Sequence, residues 1–130
     1  MQGYQETQAG LEQQQERERK LADKRMIQEI RELFSALDEA CPVIRSLLEN
    51  NQKMQAVELL ATMQELVITL GNKIEQVYGE TEDTAAIISV LEQCCENIWQ
   101  CSNAKGAEAL LLFNEVEQGL RKAEDLCLHL

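Results

Sequence analysis

From Met26 to Leu47 the apolar residues fall in alternating steps of four and three without a slip: Met26, Ile30, Leu33, Leu37, Ala40, Ile44 and Leu47. Side chains at these spacings share one face of an α-helix, so the series calls for a helix with a single buried stripe. Ile27, Phe34, Cys41 and Leu48 widen it. Pro42 stands inside the series, where it removes the amide that would bond the Asp38 carbonyl. The phase is nevertheless the same on both sides of it. One kinked helix over about 24–50 is therefore expected, ended by Asn50 and Asn51.

Three further stripes follow. The second, Ala56, Leu59, Leu60, Met63, Leu66, Val67, Leu70, Ile74 and Val77, predicts a helix over about 53–78. Gly71 interrupts it and is expected to permit a close helix crossing. Tyr78-Gly79-Glu80-Thr81 supplies a turn. A third helix is expected from Asp83 or Thr84 as N-cap to about Ser102, with Ile87, Ile88, Leu91, Cys94, Cys95, Ile98 and Trp99 as its stripe. After Asn103-Ala104-Lys105-Gly106, the fourth, about 107–128, carries Leu110, Leu111, Phe113, Val116, Leu120, Ala123 and Cys127. Four amphipathic helices with short links imply an all-α, antiparallel, up-down-up-down four-helix bundle over residues 24–130. A pair of tetratricopeptide-type hairpins would need a 34-residue self-similarity, which the chain lacks. One proline, six glycines and five aromatics favour helices over a sheet.

Residues 1–23 are a polar leader with six glutamines in the first fifteen positions, expected to be disordered or a helical extension. The charge is uneven. Residues 1–25 hold five acids and five bases, whereas residues 26–130 hold eighteen acids against seven bases, so the net charge of −11 sits on the folded part. Such a surface repels phosphate backbones and anionic lipid, and no nucleic-acid partner is expected. No apolar stretch approaches the roughly 18 residues that cross a bilayer, so no membrane insertion is expected. The five cysteines, Cys41, Cys94, Cys95, Cys101 and Cys127, lie in or beside helical stripes rather than at framework spacings. They read as small buried hydrophobes in a reducing cytoplasm.

Catalysis finds few materials. His129, one residue from the end, is the only histidine, so neither a Glu-x-x-His iron site nor a Cys–His pair can be assembled. Adjacent Cys94 and Cys95 diverge by about 100° on a helix and chelate zinc poorly. No glycine-rich phosphate loop is present. No catalytic residue, metal or cofactor is expected, and the chain reads as no enzyme. What remains is contact with a protein partner or with itself. Apolar residues off the stripes are the candidates: Val57, Leu112 and Leu128. Leu112 is singled out because Leu110–Phe113 is four apolar residues in a row, more than one stripe can bury.

A resemblance adds to this reading. Leu60-Ala-Thr-Met-Gln64, Ile68-Thr-Leu-Gly71-Asn-Lys-Ile74-Glu75, Gly79-Glu80, Val90-Leu-Glu92-Gln-Cys-Cys95-Glu96 and Trp99-Gln100 occur in one order. They resemble a helical module of Firmicutes proteins found beside, or fused to, CDP-glycerol glycerophosphotransferase-like and other glycosyltransferases that build cell-surface polymers. In that pattern a Cys-Gln pair often stands where this chain has Met63-Gln64, and Gly-Glu-Gly where it has Gly79-Glu80-Thr81. The likeness spans about residues 26–100 and rests on helix-packing positions. It implies a bacterial, cytoplasmic, non-catalytic accessory or assembly module of a cell-envelope transferase. A looser likeness, in a glycine-containing turn followed by a Leu-rich third helix, is to flagellar export chaperones. It implies a bundle that holds a partner's amphipathic segment.

Overall fold

The computed structural model describes Gln2–Leu130, with side chains from residue 10 onward. Four helices follow one another: α1 (Gln2–Glu49), α2 (Lys53–Tyr78), α3 (Glu82–Asn103) and α4 (Ala107–Leu128). Among the described residues there is no strand. Packing joins α1 to α2, α2 to α3, α3 to α4 and α4 back to α1, with no close approach across either diagonal. This is a square antiparallel four-helix bundle. The α3–α4 seam is the most extensive and the α1–α4 seam the thinnest.

The core is a set of heptad lines. Ile30, Phe34, Leu37, Ile44 and Leu48 are buried in α1, Ala56, Leu60, Met63, Val67, Leu70 and Ile74 in α2, Thr84, Ile87, Leu91, Cys94, Ile98 and Cys101 in α3, and Ala109, Phe113, Val116, Leu120 and Ala123 in α4. Each line keeps the 3.5-residue average period of coiled-coil packing, with knobs of one helix entering holes of the next. Two expected core residues fall outside these lines. Trp99 is 59% exposed and Leu111 65% exposed. Trp99 lies one residue, about 100° of helix, from buried Ile98, and Leu111 lies two residues, about 200°, from buried Ala109 and Phe113, both too far round for a heptad seam to cover. Ala109, absent from the expected stripe, holds the core position instead.

Helix boundaries reflect local chemistry. Asn51 takes a φ of 58°. Gln52 N–H then bonds Leu47 O at 2.8 Å and Asn51 N–H bonds Leu48 O at 3.3 Å, the paired bonds that close a helix on a left-handed residue. Thr81, not Asp83 or Thr84, caps α3: its Oγ1 accepts from Thr84 N–H at 3.1 Å. Thr84 is buried as the first core residue of α3, which takes it out of the capping role. At the opposite end of the bundle, Lys53 Nζ donates to Cys101 O at 2.8 Å and to Ala104 O. A cation thus satisfies the last carbonyls of α3 and complements its negative end. Pro42 lies on an exposed face and α1 runs through it unbroken.

Helix α1 starts at Gln2 rather than near residue 24, so the polar leader is continuous with the first bundle helix. Lys73 of α2 meets Glu29 of α1 at 2.6 Å, which marks the register of the two helices. By that register the end of α2 lies level with the residues near 24. The preceding part of α1 projects as an arm about 30 Å long, at 1.5 Å per residue. From Gly10 to Ala22 every residue of it is exposed, Leu11 and Leu21 included.

The close helix crossing lies elsewhere than expected. A Cβ built on Gly71 would rest 3.5 Å from Ile88 Cδ1 and 3.8 Å from Leu91 Cδ1, ordinary contact distances that alanine could occupy. At Gly119 the same atom would stand 2.5 Å from Cys94 Sγ. It is Gly119, on α4, that lets the α3–α4 seam close.

Candidate functional site

The largest mixed-charge cluster of the described residues lies between two helices that pack only thinly. Between α1 and α4, Asp38, Cys41, Arg45, Glu117, Arg121 and Glu124 border a cleft of about 370 Å³. The Arg45 guanidinium donates to Glu117 Oε1 (2.6 Å from Nη2, 3.1 Å from Nε) and to Asn114 Oδ1 at 2.6 Å, and lies 5.8 Å above the Phe113 ring centre. Burial, and then Asp38 beside it, pushes the Glu124 carboxyl up from its ordinary value. Burial also raises the Cys41 thiol to about 11, with Glu117 and Asp38 adding to the shift. The remaining cysteines follow suit. Cys94 is raised to about 12 and Cys127 to about 11, in each case mainly by burial, and Cys95 and Cys101 are raised as well. Nucleophilic and metal-binding cysteines are thiolates, so at neutral pH these five behave as small neutral side chains. Among the described residues no three His, Cys, Asp or Glu side chains come together as a metal would need.

The three candidate contact residues do not form one patch. Val57 is half-buried on α2, and Leu112 half-buried on α4 against the core, on diagonally opposite helices. Leu128 is 74% exposed but ends α4, about 24 Å along the helix from Leu112. Within Leu110–Phe113 the residue left in solvent is Leu111, not Leu112, because Leu112 falls on the flank of α4 that packs against its neighbour.

Exposed apolar side chains gather instead along the outside of the α2–α3 seam. One flank of α2 is turned to α1 through Lys73, and the other to α3, where Gly71 faces Ile88 and Leu91. Met54, Ala61 and Ile68 recur every seven residues on the outer edge of that second flank. Ala85, Glu92 and Trp99 repeat likewise along the facing edge of α3. The helices run antiparallel with Gly71 opposite Ile88, so Ala61 lies level with Trp99, a small residue beside the indole. Met54, Ile68 and Trp99 are 83%, 52% and 59% exposed. The other seams are edged mainly by Gln, Thr, Glu, Asn and Arg. Val57 lies at the helical position of Gly71 two heptads earlier, so it is the one candidate residue that borders this face. Met54 and Ile68 already fall outside the second stripe, a signal that could have marked them as contact candidates, whereas Trp99 belongs to the expected third stripe and sits one place from buried Ile98.

Comparison with protein-family models, with curated proteins and with solved structures finds no match for this chain. Its all-α four-helix architecture therefore stands on the geometry described above. Among the described residues no helix is long and apolar enough to cross a membrane.

Proposed function

We propose that this chain is a non-catalytic accessory module that acts by docking a protein partner on the outer face of the α2–α3 seam. The observation that carries the reading is the line of large apolar side chains, Met54, Ile68 and Trp99, that the fold leaves in solvent on one face. Buried apolar and aromatic anchors dominate protein interfaces, and tryptophan is among the most enriched of them. The protonated thiols and the internally paired Arg45 support a role in contact rather than chemistry. They also fit a reducing compartment such as the cytoplasm.

The resemblance over residues 26–100 makes a bacterial cell-envelope glycosyltransferase or glycerophosphotransferase the first partner to test. Purified cytoplasmic transferase domain titrated into this chain should give saturable binding, read as a blue shift of Trp99, the single tryptophan. Ile68→Glu should abolish it while the helical content stays intact. Binding that survives Ile68→Glu would remove the α2–α3 face from the function. The chaperone-like alternative uses the same face for an unstructured segment, and protection of a bound peptide from protease would distinguish it from docking of a folded domain.

A further inference from the structure

We infer that the α2–α3 groove takes a single amphipathic helix of another protein, one with Lys and Arg flanking its apolar stripe. The inference rests on the partner-docking reading above and assigns the chemistry of the occupant. Three features of the groove define it. The first is a socket of about 200 Å³ walled by Ile68, Ile88, Leu91 and Cys95, with Gly71 in its wall. An alanine would fit there, so helix packing does not demand the glycine. Its effect is to leave room for one incoming aliphatic side chain.

The second feature is charge. A cleft of about 340 Å³ continues from the socket toward the α2–α3 turn, sharing Ile88, Glu75 and Glu92 with it and adding Glu80. None of these three carboxylates is in an ion pair with a described residue. Helix α3 carries four acids and no Lys or Arg. The two bases of α2 are both committed, Lys53 to carbonyls of the α3 end and Lys73 to Glu29. The face thus presents apolar anchors and acids without a free base on either helix. Its complement is an apolar stripe bordered by cations.

The third feature is length. Met54 to Gly71 spans about 25 Å of helix, room for about 16–18 residues of a partner helix laid along the seam. Other occupants fit poorly. A second copy would oppose acids to acids. The arm of a second copy has no apolar residue from Glu12 to Lys20 and cannot fill the line from Met54 to the socket. Anionic lipid is repelled by the same carboxylates.

Trp99 reports occupancy. The probe is a synthetic helical peptide of about 18 residues with leucines at i, i+4, i+7 and i+11 and Lys or Arg beside them. Its counterpart keeps the leucines and carries Glu instead. The basic peptide should shift Trp99 emission to the blue and bind at least about tenfold more tightly than the acidic one, a gap that narrows with salt. Glu75→Gln with Glu92→Gln should remove most of that gap. Gly71→Ala is the sharper variant: it should raise Tm yet weaken the peptide several-fold, because the added methyl occupies the socket. A merely structural glycine would not separate the two readouts. Leu111→Ser, at an exposed site on α4, which does not border the groove, should leave binding unchanged.

Equal affinity for both peptides, or undiminished affinity in Gly71→Ala and Ile68→Ser, would overturn the inference. A shift with anionic phosphatidylglycerol vesicles, or with rising concentration of the chain alone, would overturn it too, assigning the groove to lipid or to a second copy. A preference for the acidic peptide would refute the occupant's charge and leave partner docking standing. If neither peptide, vesicle, copy nor transferase domain moved Trp99, the inference and the docking function would fall together.

Discussion

Replacing Gly119 by alanine should destabilise the bundle, and should do so only while a sulfur atom stands opposite. Alanine in place of glycine inside a helix ordinarily contributes about 1 kcal/mol of stability. At Gly119 the new methyl would meet Cys94 Sγ at 2.5 Å, against the roughly 3.5–4.0 Å at which non-bonded carbon atoms rest. Cys94 is 1% exposed and its thiol is directed at Val116 O, 3.9 Å away, so other orientations of the sulfur run into packed core. The seam must open by about an ångström, an overpacking penalty of about 1–3 kcal/mol. The penalty exceeds the propensity gain, and Gly119→Ala should come out about 1 kcal/mol less stable. In the Cys94→Ala background the sulfur is absent and the same substitution should be stabilising by about 1 kcal/mol. The cycle of four proteins therefore carries a coupling of about 2 kcal/mol with a change of sign. For a chain of this size each kcal/mol moves Tm by about 3–5 °C. Urea and thermal unfolding followed by circular dichroism would measure it. Gly119→Ala that stabilises both backgrounds equally would refute the close-crossing argument.

Lys53→Met keeps the aliphatic stem but removes the ammonium from Cys101 O and Ala104 O, and urea unfolding should show a loss of about 1.5–3 kcal/mol. The raised thiols of Cys41, Cys94 and Cys127 predict a pH dependence. The folded state holds these protons more tightly than the unfolded chain, so their stabilisation is complete below about pH 9 and is lost as pH rises toward 11–12. A flat stability profile from pH 8 to 11 in the wild type, tested against a Cys94→Ala control, would contradict it. The same thiols should react with a disulfide reagent at pH 8 far more slowly in the native protein than in urea. Pro42→Ala restores the amide that can bond Asp38 O in a helix already continuous there, and should raise Tm by several degrees; a fall would mean that Pro42 relieves a strain in α1.

The heptad lines made the four helices, their order and most of the core legible without coordinates. Leu37, Ile44, Leu60, Val67, Leu91 and Phe113 occupy the stripes their spacing demands and are buried. The turns were also local matters, since Asn51 and Gly79 adopt the positive φ that their residue types favour. The cap of α3 is not legible in the same way, because Thr81, Asp83 and Thr84 are all good caps in isolation. Burial of Thr84 starts the core line there and the helix at Glu82, which leaves Asp83 in the first turn and Thr81 as the cap.

The surface is where sequence reading gave way. A stripe defines an arc on a helix, but the width of the arc depends on how closely the neighbouring helices approach, and that is a property of the assembled bundle. Trp99 lies just outside it and Leu112 just inside, while Leu111 stands on the opposite side of its helix. Likewise Gly71 and Gly119 are both glycines within amphipathic helices, and nothing in their flanking residues says which of them faces a sulfur at 2.5 Å and which leaves a socket open. Periodicity along one chain therefore determined that this protein is four packed helices. The approach of α3 to α2 and α4 decided which apolar residues remain outside, because exposure is set by the neighbour and not by the helix that carries the residue.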